Sequence, residues 1–170
     1  MRAIYPGSFD PITKGHLDII RRALAFCSEL VIAVGVSASK QGVFTPEERQ
    51  ALIHEALADT FSPSELSRLQ VTSYSGATVH LAERYKAGLI VKGLRNPADY
   101  ADEQKMAIVN RRLTREIDTV FLMTENDLRD VSSSAVREMA RIGIPAHQMD
   151  HYLTPSVRDQ LLARLAPSSA

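Results

Sequence analysis

The sequence has little that would tie it to a membrane, to an oxidising compartment or to a polyanion. Its 170 residues include one cysteine, Cys27, and no tryptophan, so no disulfide can form within the chain. Lysine plus arginine and aspartate plus glutamate number 20 each. A neutral chain lacks the excess positive charge on which general binding to nucleic acid or an anionic membrane rests. No apolar segment reaches the length of a membrane span, and no signal peptide is visible. We therefore expect a cytoplasmic protein without nucleic-acid or membrane partners.

Apolar runs alternate with helical patterns along the whole chain, which predicts an α/β fold. Strands are predicted at residues 2–5, 30–36, 69–74, 89–92 and 119–123, and helices at 17–27, 46–58, 78–86, 99–113, 132–142 and 155–165. Cys27 is expected on the apolar face of the first helix, and Gly88 is expected to stop the third. Such alternation indicates a Rossmann-like, doubly wound, five-stranded parallel sheet with helices on both faces. The length suits a single domain spanning residues 1–170.

The most informative stretch is Tyr-Pro-Gly-Ser-Phe-Asp-Pro-Ile-Thr-Lys-Gly-His at residues 5–16. It reads as a strand that ends in a turn of small residues and is followed by a helix capped by Thr13. The free N–H groups and the dipole of a helix start favour an anion. Ser8 and His16 would add donors facing the same space. A simple strand-to-helix turn with a surface histidine is the alternative, and the motifs further along the chain argue against it.

Several later segments add candidates to the same crevice, because ligands of such sheets bind beyond the carboxyl ends of the strands. Lys92 and Arg95 flank Gly93 at a strand end and could grip separate phosphates. Three hydroxyls at residues 132–134 begin a helix and could bind a polyphosphate, although helix capping is the simpler interpretation of serines alone. Lys40 lies in the loop after the second strand, and Glu103 could accept hydrogen bonds from a ribose. Surface positions for Lys40 and Glu103 are the ordinary alternatives.

Taken together, these segments resemble the bacterial phosphopantetheine adenylyltransferases of the nucleotidylyltransferase superfamily. The resemblance runs from about residue 3 to 165 and is carried by five segments: G-S-F-D-P-I-T-x-G-H, S-x-S-K followed by F-T-x-E-E-R, V-K-G-L-R-x-x-x-D, F-L-M and V-S-S-S-x-V-R-E. It implies adenylyl transfer from ATP to 4′-phosphopantetheine, with pyrophosphate and dephospho-coenzyme A as products. It also implies Mg²⁺ as cofactor, a homohexamer, and coenzyme A as a candidate inhibitor.

The resemblance also implies roles for particular residues. The catalytic residues would be His16, Lys40 and Ser8, and the pantetheine substrate would be held by Ser8, Lys40, Lys92 and the backbone of Thr78. The expected ATP-binding residues are Ser8, Phe9, His16, Gly93, Leu94, Arg95, Glu103, Leu128, Arg129, Asp130, Val131, Ser132, Ser133 and Ser134. No protein metal ligands are expected. The chain departs from the family where Lys92 replaces the usual arginine, and where residues 128–130 lack the aromatics of some members.

The expected mechanism is direct in-line attack, since an acceptor phosphate with a second pKa of about 6 needs no protein base. No nucleophile–base pair stands out among the residues singled out. Two other functions remain open at this point. One is a nucleotidylyltransferase with another acceptor, such as nicotinamide mononucleotide or a sugar or alcohol phosphate. The other is a nucleotide-sensing module without catalysis, against which the presence of His16, Lys40 and Arg95 argues.

Overall fold

A five-stranded parallel sheet organises the fold in the computed structural model, which describes residues 1–37 and 42–165. The strands are β1 (Arg2–Gly7), β2 (Glu29–Gly35), β3 (Leu69–Tyr74), β4 (Leu89–Leu94) and β5 (Asp118–Met123). They lie in the order β3-β2-β1-β4-β5, and every pairing is parallel. The order reverses between β1 and β4, and this reversal is where a doubly wound sheet opens a crevice at its carboxyl edge. The predicted fold class is confirmed.

Several of the helices begin after a residue whose side chain caps the helix, namely Thr45, Ser62, Asn96 or Ser132. The helices are α1 (Lys14–Ala23), α2 (Pro46–Thr60), α3 (Pro63–Leu66), α4 (Thr78–Arg84), α5 (Pro97–Leu113), α6 (Ser133–Arg141) and α7 (Pro155–Leu165). The predicted start of α2 is confirmed: the Thr45 hydroxyl accepts from the Glu48 N–H, and the Glu48 carboxylate accepts from the Thr45 N–H. This reciprocal pair satisfies two donors that a helix start leaves unpaired.

Alternate residues of each strand face opposite layers of helices, as the pleat of a strand requires. Tyr5 and Ile32 contribute to a core cluster that also takes in buried side chains of α1, α2, α6 and α7. Ile4 and Val31 point the other way, into a smaller cluster with α4. The sheet is therefore covered on both faces. Within the described residues, no helix is both long and apolar enough to cross a membrane.

Two predictions about helix ends are wrong. The first helix ends at Ala23, so Cys27 lies beyond it, although the thiol is buried as expected. Helix α4 does not use Gly88 as its stop. Lys86 takes the left-handed conformation (φ 52°), and the Ala87 N–H then donates to the Ala82 carbonyl at 2.8 Å. This bond closes the helix end in the manner that a glycine usually provides.

Candidate active site

Two adjoining cavities open at the carboxyl edge of the sheet. The first, of about 430 Å³, lies between the ends of β1 and β4 and the starts of α1 and α6. The second, of about 490 Å³, lies beside it toward the ends of β2 and β3. Both are lined by Pro6, Gly7, Ser8, Lys92 and Arg137. Two ligands, one in each cavity, would therefore meet over the turn that follows β1.

The turn after β1 is built around a buried aromatic ring. Phe9 takes a left-handed conformation (φ 46°), which directs its side chain back beneath the strand end. A Cβ atom on Gly7 would lie 2.9 Å from Phe9 Cζ, so only glycine fits above the ring. The same ring contacts His16 edge-on, with 5.0 Å between the ring centroids. Phe9 thus supports the floor of the turn and does not line either cavity.

Asp10 ties this turn to the segment that precedes α2. Its carboxylate accepts the backbone N–H groups of Val43 and Phe44, both at 2.9 Å. Arg49 lies 3.3 Å from the same carboxylate and donates to the carbonyl oxygens of Phe44 and Ser8. Because Asp10 and Arg49 are both buried, each needs the other as a partner. This buried pair fixes one wall of the second cavity.

His16 is held as a neutral donor at the start of α1. The Thr13 N–H donates to His16 Nδ1 at 3.0 Å, and since a backbone N–H can only donate, Nδ1 is unprotonated. The neutral ring therefore carries its proton on Nε2. Burial and, secondarily, the positive charge of Arg95 lower the pKa of His16 to about 4. At neutral pH the ring can donate a hydrogen bond from Nε2 without carrying charge.

Each cation at the end of β4 is paired with a carboxylate of α5. Lys92 Nζ lies 3.0 Å from Glu103 Oε2. Arg95 donates to Asp99 from Nε at 3.0 Å, from Nη2 at 3.1 Å and from its backbone N–H at 2.9 Å. Burial raises the pKa of Asp99, but these hydrogen bonds from Arg95 outweigh it, so the pKa is lowered overall. The Arg95 side chain is thereby fixed at the rim of the first cavity.

The three serines at the start of α6 differ in what their hydroxyls do. The Ser132 hydroxyl accepts from the Ala135 N–H at 3.1 Å and caps the helix. Ser133 donates to the Pro11 carbonyl at 2.8 Å and so joins α6 to the first turn. Ser134 is exposed and lies 3.3 Å from Arg137 Nη2. All three line the first cavity, where the start of α6 offers backbone donors to an anion.

Most of the residues predicted for the site line the two cavities. They are Ser8, His16, Lys92, Gly93, Arg95, Glu103, Val131, Ser132, Ser133 and Ser134. Thr78 is at the start of α4, where its hydroxyl lies 3.0 Å from the Tyr74 hydroxyl, and Tyr74 lines the second cavity. Lys40 lies outside the described residues.

Six of the predicted residues that the structure describes do not line either cavity: Phe9, Thr78, Leu94, Leu128, Arg129 and Asp130. Leu94 is buried at the end of β4. Leu128 ends a short 3₁₀ turn (Asn126–Leu128), and Asp130 accepts from the Tyr152 hydroxyl at 3.1 Å.

The sequence analysis gave no role to Arg137, Asp99 or Tyr74, although Arg137 and Asp99 lie in two of the segments that carry the family resemblance. Arg137 lines both cavities and donates from Nη1 to the Asp10 carbonyl at 2.6 Å. Its position three residues after Ser134, on the same face of α6, was the available signal. The ion pair between Asp99 and Arg95 could also have been predicted from spacing, since the two residues lie four positions apart. Tyr74 gave no signal, because it enters the site only through the order of the strands.

The carboxylates of the first cavity do not form a cage for a metal ion. Among residues 1–37 and 42–165, no cluster of three or more histidine, cysteine, aspartate or glutamate side chains is placed to hold one. Asp99 and Glu103 are each engaged by a cation, and Asp102 faces Lys105. Mg²⁺ usually keeps several waters and binds through substrate phosphates with one or two carboxylates. The donors present fit an ion carried mainly by a triphosphate.

Comparison with known proteins assigns the class. The cytidylyltransferase-like family matches residues 4–139. A solved nicotinic acid mononucleotide adenylyltransferase from Plasmodium falciparum, complexed with NaAD, superposes with a TM-score of 0.70 over 95% of this chain and 94% of that one. At 15% identity this likeness concerns the fold alone. The chain is therefore a member of the cytidylyltransferase-like nucleotidyltransferases.

Closer relatives define the group within that class. The phosphopantetheine adenylyltransferase of Flavobacterium johnsoniae is 46% identical over 142 residues, which cover 84% of this chain and 89% of that protein. The phosphopantetheine adenylyltransferase of Heliobacterium modesticaldum is 42% identical over 164 residues, which cover 96% and 90%. The chain belongs to the phosphopantetheine adenylyltransferase family. The resemblance recognised in the sequence motifs is confirmed.

Proposed function

We propose that this phosphopantetheine adenylyltransferase makes dephospho-coenzyme A by direct in-line transfer between its two cavities. ATP occupies the first cavity and 4′-phosphopantetheine the second. A phosphate oxygen of the acceptor attacks the α-phosphorus of ATP, a new P–O bond forms, and the bond to the β-phosphate oxygen breaks to release pyrophosphate. The observation that carries this proposal is the meeting of the cavities at Ser8, Lys92 and Arg137, which would bring the two phosphates together.

The protein's task in this reaction is alignment and charge stabilisation. We assign three groups to the α-phosphate. They are the Nε2–H of His16, the turn after β1 that contains Ser8, and the side chain of Lys40. A neutral histidine suits this role, because it donates a hydrogen bond to the developing charge and takes no proton from the acceptor. Arg95, Arg137 and residues 132–134 hold the β- and γ-phosphates and then the leaving pyrophosphate.

The acceptor side is assigned to Lys92, Lys40 and the backbone of Thr78. Mg²⁺ would enter with the ATP phosphates and neutralise part of their charge.

We further propose that residues 1–170 act as one domain, that six copies assemble as the family resemblance implies, and that the enzyme works in the cytoplasm. Coenzyme A as an inhibitor stays a prediction from that resemblance.

Product formation from a panel of acceptors tests this function. Pyrophosphate release from ATP would be measured with 4′-phosphopantetheine, nicotinamide mononucleotide, nicotinate mononucleotide and glycerol 3-phosphate, and products would be identified by mass spectrometry. We expect dephospho-coenzyme A, and a kcat/KM for 4′-phosphopantetheine at least about a hundredfold above the others. Preference for another acceptor would reassign the substrate. No release with any acceptor would support a nucleotide-sensing module.

A further inference from the structure

One ion pair crosses from one cavity to the other. Lys92 lines both cavities, whereas Glu103 lines only the first. The ammonium of Lys92 lies 3.0 Å from Glu103 Oε2, and the side chains are 20% and 30% exposed, respectively. Lys92 is thus drawn toward the nucleotide cavity by a carboxylate of α5.

The neighbouring ion pairs of α5 are arranged differently. Arg95 and Asp99 both line the first cavity and do not reach the second. Lys105 and Asp102 form a pair in which both side chains are largely exposed, and Lys105 lines neither cavity. Of these three pairs, Lys92–Glu103 is the one whose cation faces the space assigned to the acceptor.

We propose that Glu103 is a positioning residue that couples the binding of the two substrates. Glu103 holds the Lys92 ammonium on the nucleotide side until a nucleotide engages the carboxylate, and Lys92 is then released to the acceptor phosphate. This inference rests on the function proposed above and adds to it a cause of substrate coupling.

The physical basis is competition for a single point charge. An ammonium held by a carboxylate is less available to a phosphate. The reason is that the Lys ammonium is a compact point charge and lacks the planar fork of donors with which an Arg could bind two anions. When the nucleotide occupies Glu103, for example through hydroxyl groups of its ribose, the competition ends and the acceptor binds more tightly. Thermodynamic linkage requires the effect to be mutual, so the acceptor must tighten nucleotide binding by the same factor.

The test is a binding cycle measured by titration calorimetry on the wild type, E103Q and D102N. The nucleotide probe is α,β-methylene ATP, whose bridging CH₂ cannot be cleaved, and the acceptor probe is 4′-phosphopantetheine. Each is titrated alone and in the presence of saturating amounts of the other. E103Q keeps the shape of the side chain and removes its charge. D102N makes the same charge change one residue away, on a carboxylate that pairs with Lys105.

We expect nucleotide to tighten acceptor binding at least about fivefold in the wild type and in D102N. In E103Q the factor by which nucleotide tightens acceptor binding should fall to about one. Without nucleotide, the acceptor should bind to E103Q roughly three times more tightly than to the wild type. The inference is overturned if E103Q retains wild-type coupling, if D102N loses it as well, or if the wild type binds the two probes independently. Failure of the wild type to bind the acceptor at all would refute the proposed function instead. Binding of the nucleotide to E103Q in the same titrations shows that this variant is folded.

Discussion

At the scale of single residues, the site depends on how each polar group is held before substrate arrives. His16 illustrates this, because the Thr13 N–H fixes its tautomer and burial keeps it neutral. Arg95 is held by three hydrogen bonds to Asp99. Groups held in this way lose little entropy when charge develops on the phosphates, which is the basis of electrostatic catalysis.

Replacement of His16 by alanine should lower kcat by at least about a hundredfold, with little change in the Kd of ATP, because the Nε2–H bond is expected to strengthen mainly in the transition state. Steady-state kinetics and nucleotide titration measure the two effects. His16→Gln, which keeps an N–H donor, should recover part of the loss. A near-normal kcat for His16→Ala would remove His16 from the mechanism.

Lys92 should act on the acceptor more than on ATP. Lys92→Ala should raise the acceptor KM by the equivalent of about 2–3 kcal/mol of lost charge-assisted binding. Lys92→Arg should retain activity because it keeps the charge. The KM of ATP should move much less in both variants, since Arg95 and residues 132–134 are assigned to the triphosphate. Kinetics with each substrate varied in turn decide the matter; equal shifts in both KM values would place Lys92 outside the acceptor site.

At the scale of elements, the match between prediction and structure depended on how much of each element is specified locally. The strands were found within about two residues, since continuous β-branched runs such as residues 30–36 fit a buried parallel strand. The four-residue helix α3 and the short 3₁₀ turns were missed, because they are too short to show a period. The cap at Thr45 was found because its partner, Glu48, lies only three residues away.

Much of the site was also predictable, but contacts made across the fold were not. Ser8, His16 and the serines were recognised because they lie at helix starts or strand ends. The burial of Phe9 follows from a left-handed backbone that phenylalanine seldom adopts, so no propensity predicts it. The bond from Arg137 to the Asp10 carbonyl joins residues 127 positions apart. Such a contact exists only once the sheet has brought α6 against the first turn.

The end of α4 gives a prediction about stability. Lys86 occupies the left-handed region at an exposed position, which costs a non-glycine residue about 1–2 kcal/mol. Lys86→Gly should therefore raise the free energy of unfolding by about 0.5–1 kcal/mol, after allowance for the greater freedom of glycine in the unfolded chain. Arg84→Gly, within the same helix, should lower it by a similar amount. Urea denaturation measures both, and destabilisation by Lys86→Gly would contradict this account of the helix end.

At the scale of the whole molecule, α5 presents an apolar stripe that a single copy leaves uncovered. Met106, Val109 and Leu113 follow one another at helical spacing, and all three are exposed. Patches of this kind commonly mark contacts between chains. Since a hexamer is proposed, we expect this stripe to be buried between subunits.

Val109, which is 45% exposed, offers a direct test of that assembly. Light scattering after gel filtration should give the mass of six chains for the wild type and a smaller species for Val109→Glu, because a buried carboxylate without a partner is costly. Ile142→Glu, at an exposed apolar residue directly after the end of α6, should leave the mass unchanged. A monomeric wild type, or an unaltered mass for Val109→Glu, would contradict the proposed interface.

The central claim is that the adenylyl group passes directly from ATP to the acceptor, with no intermediate bound to the protein. The stereochemistry at the α-phosphorus tests it most directly. ATP carrying one diastereomer of an α-phosphorothioate would be turned over with 4′-phosphopantetheine, and the configuration of the product determined. A single in-line displacement predicts inversion at phosphorus. Retention would require two displacements through an adenylylated enzyme, and would contradict the mechanism built on His16, Lys92 and Arg95.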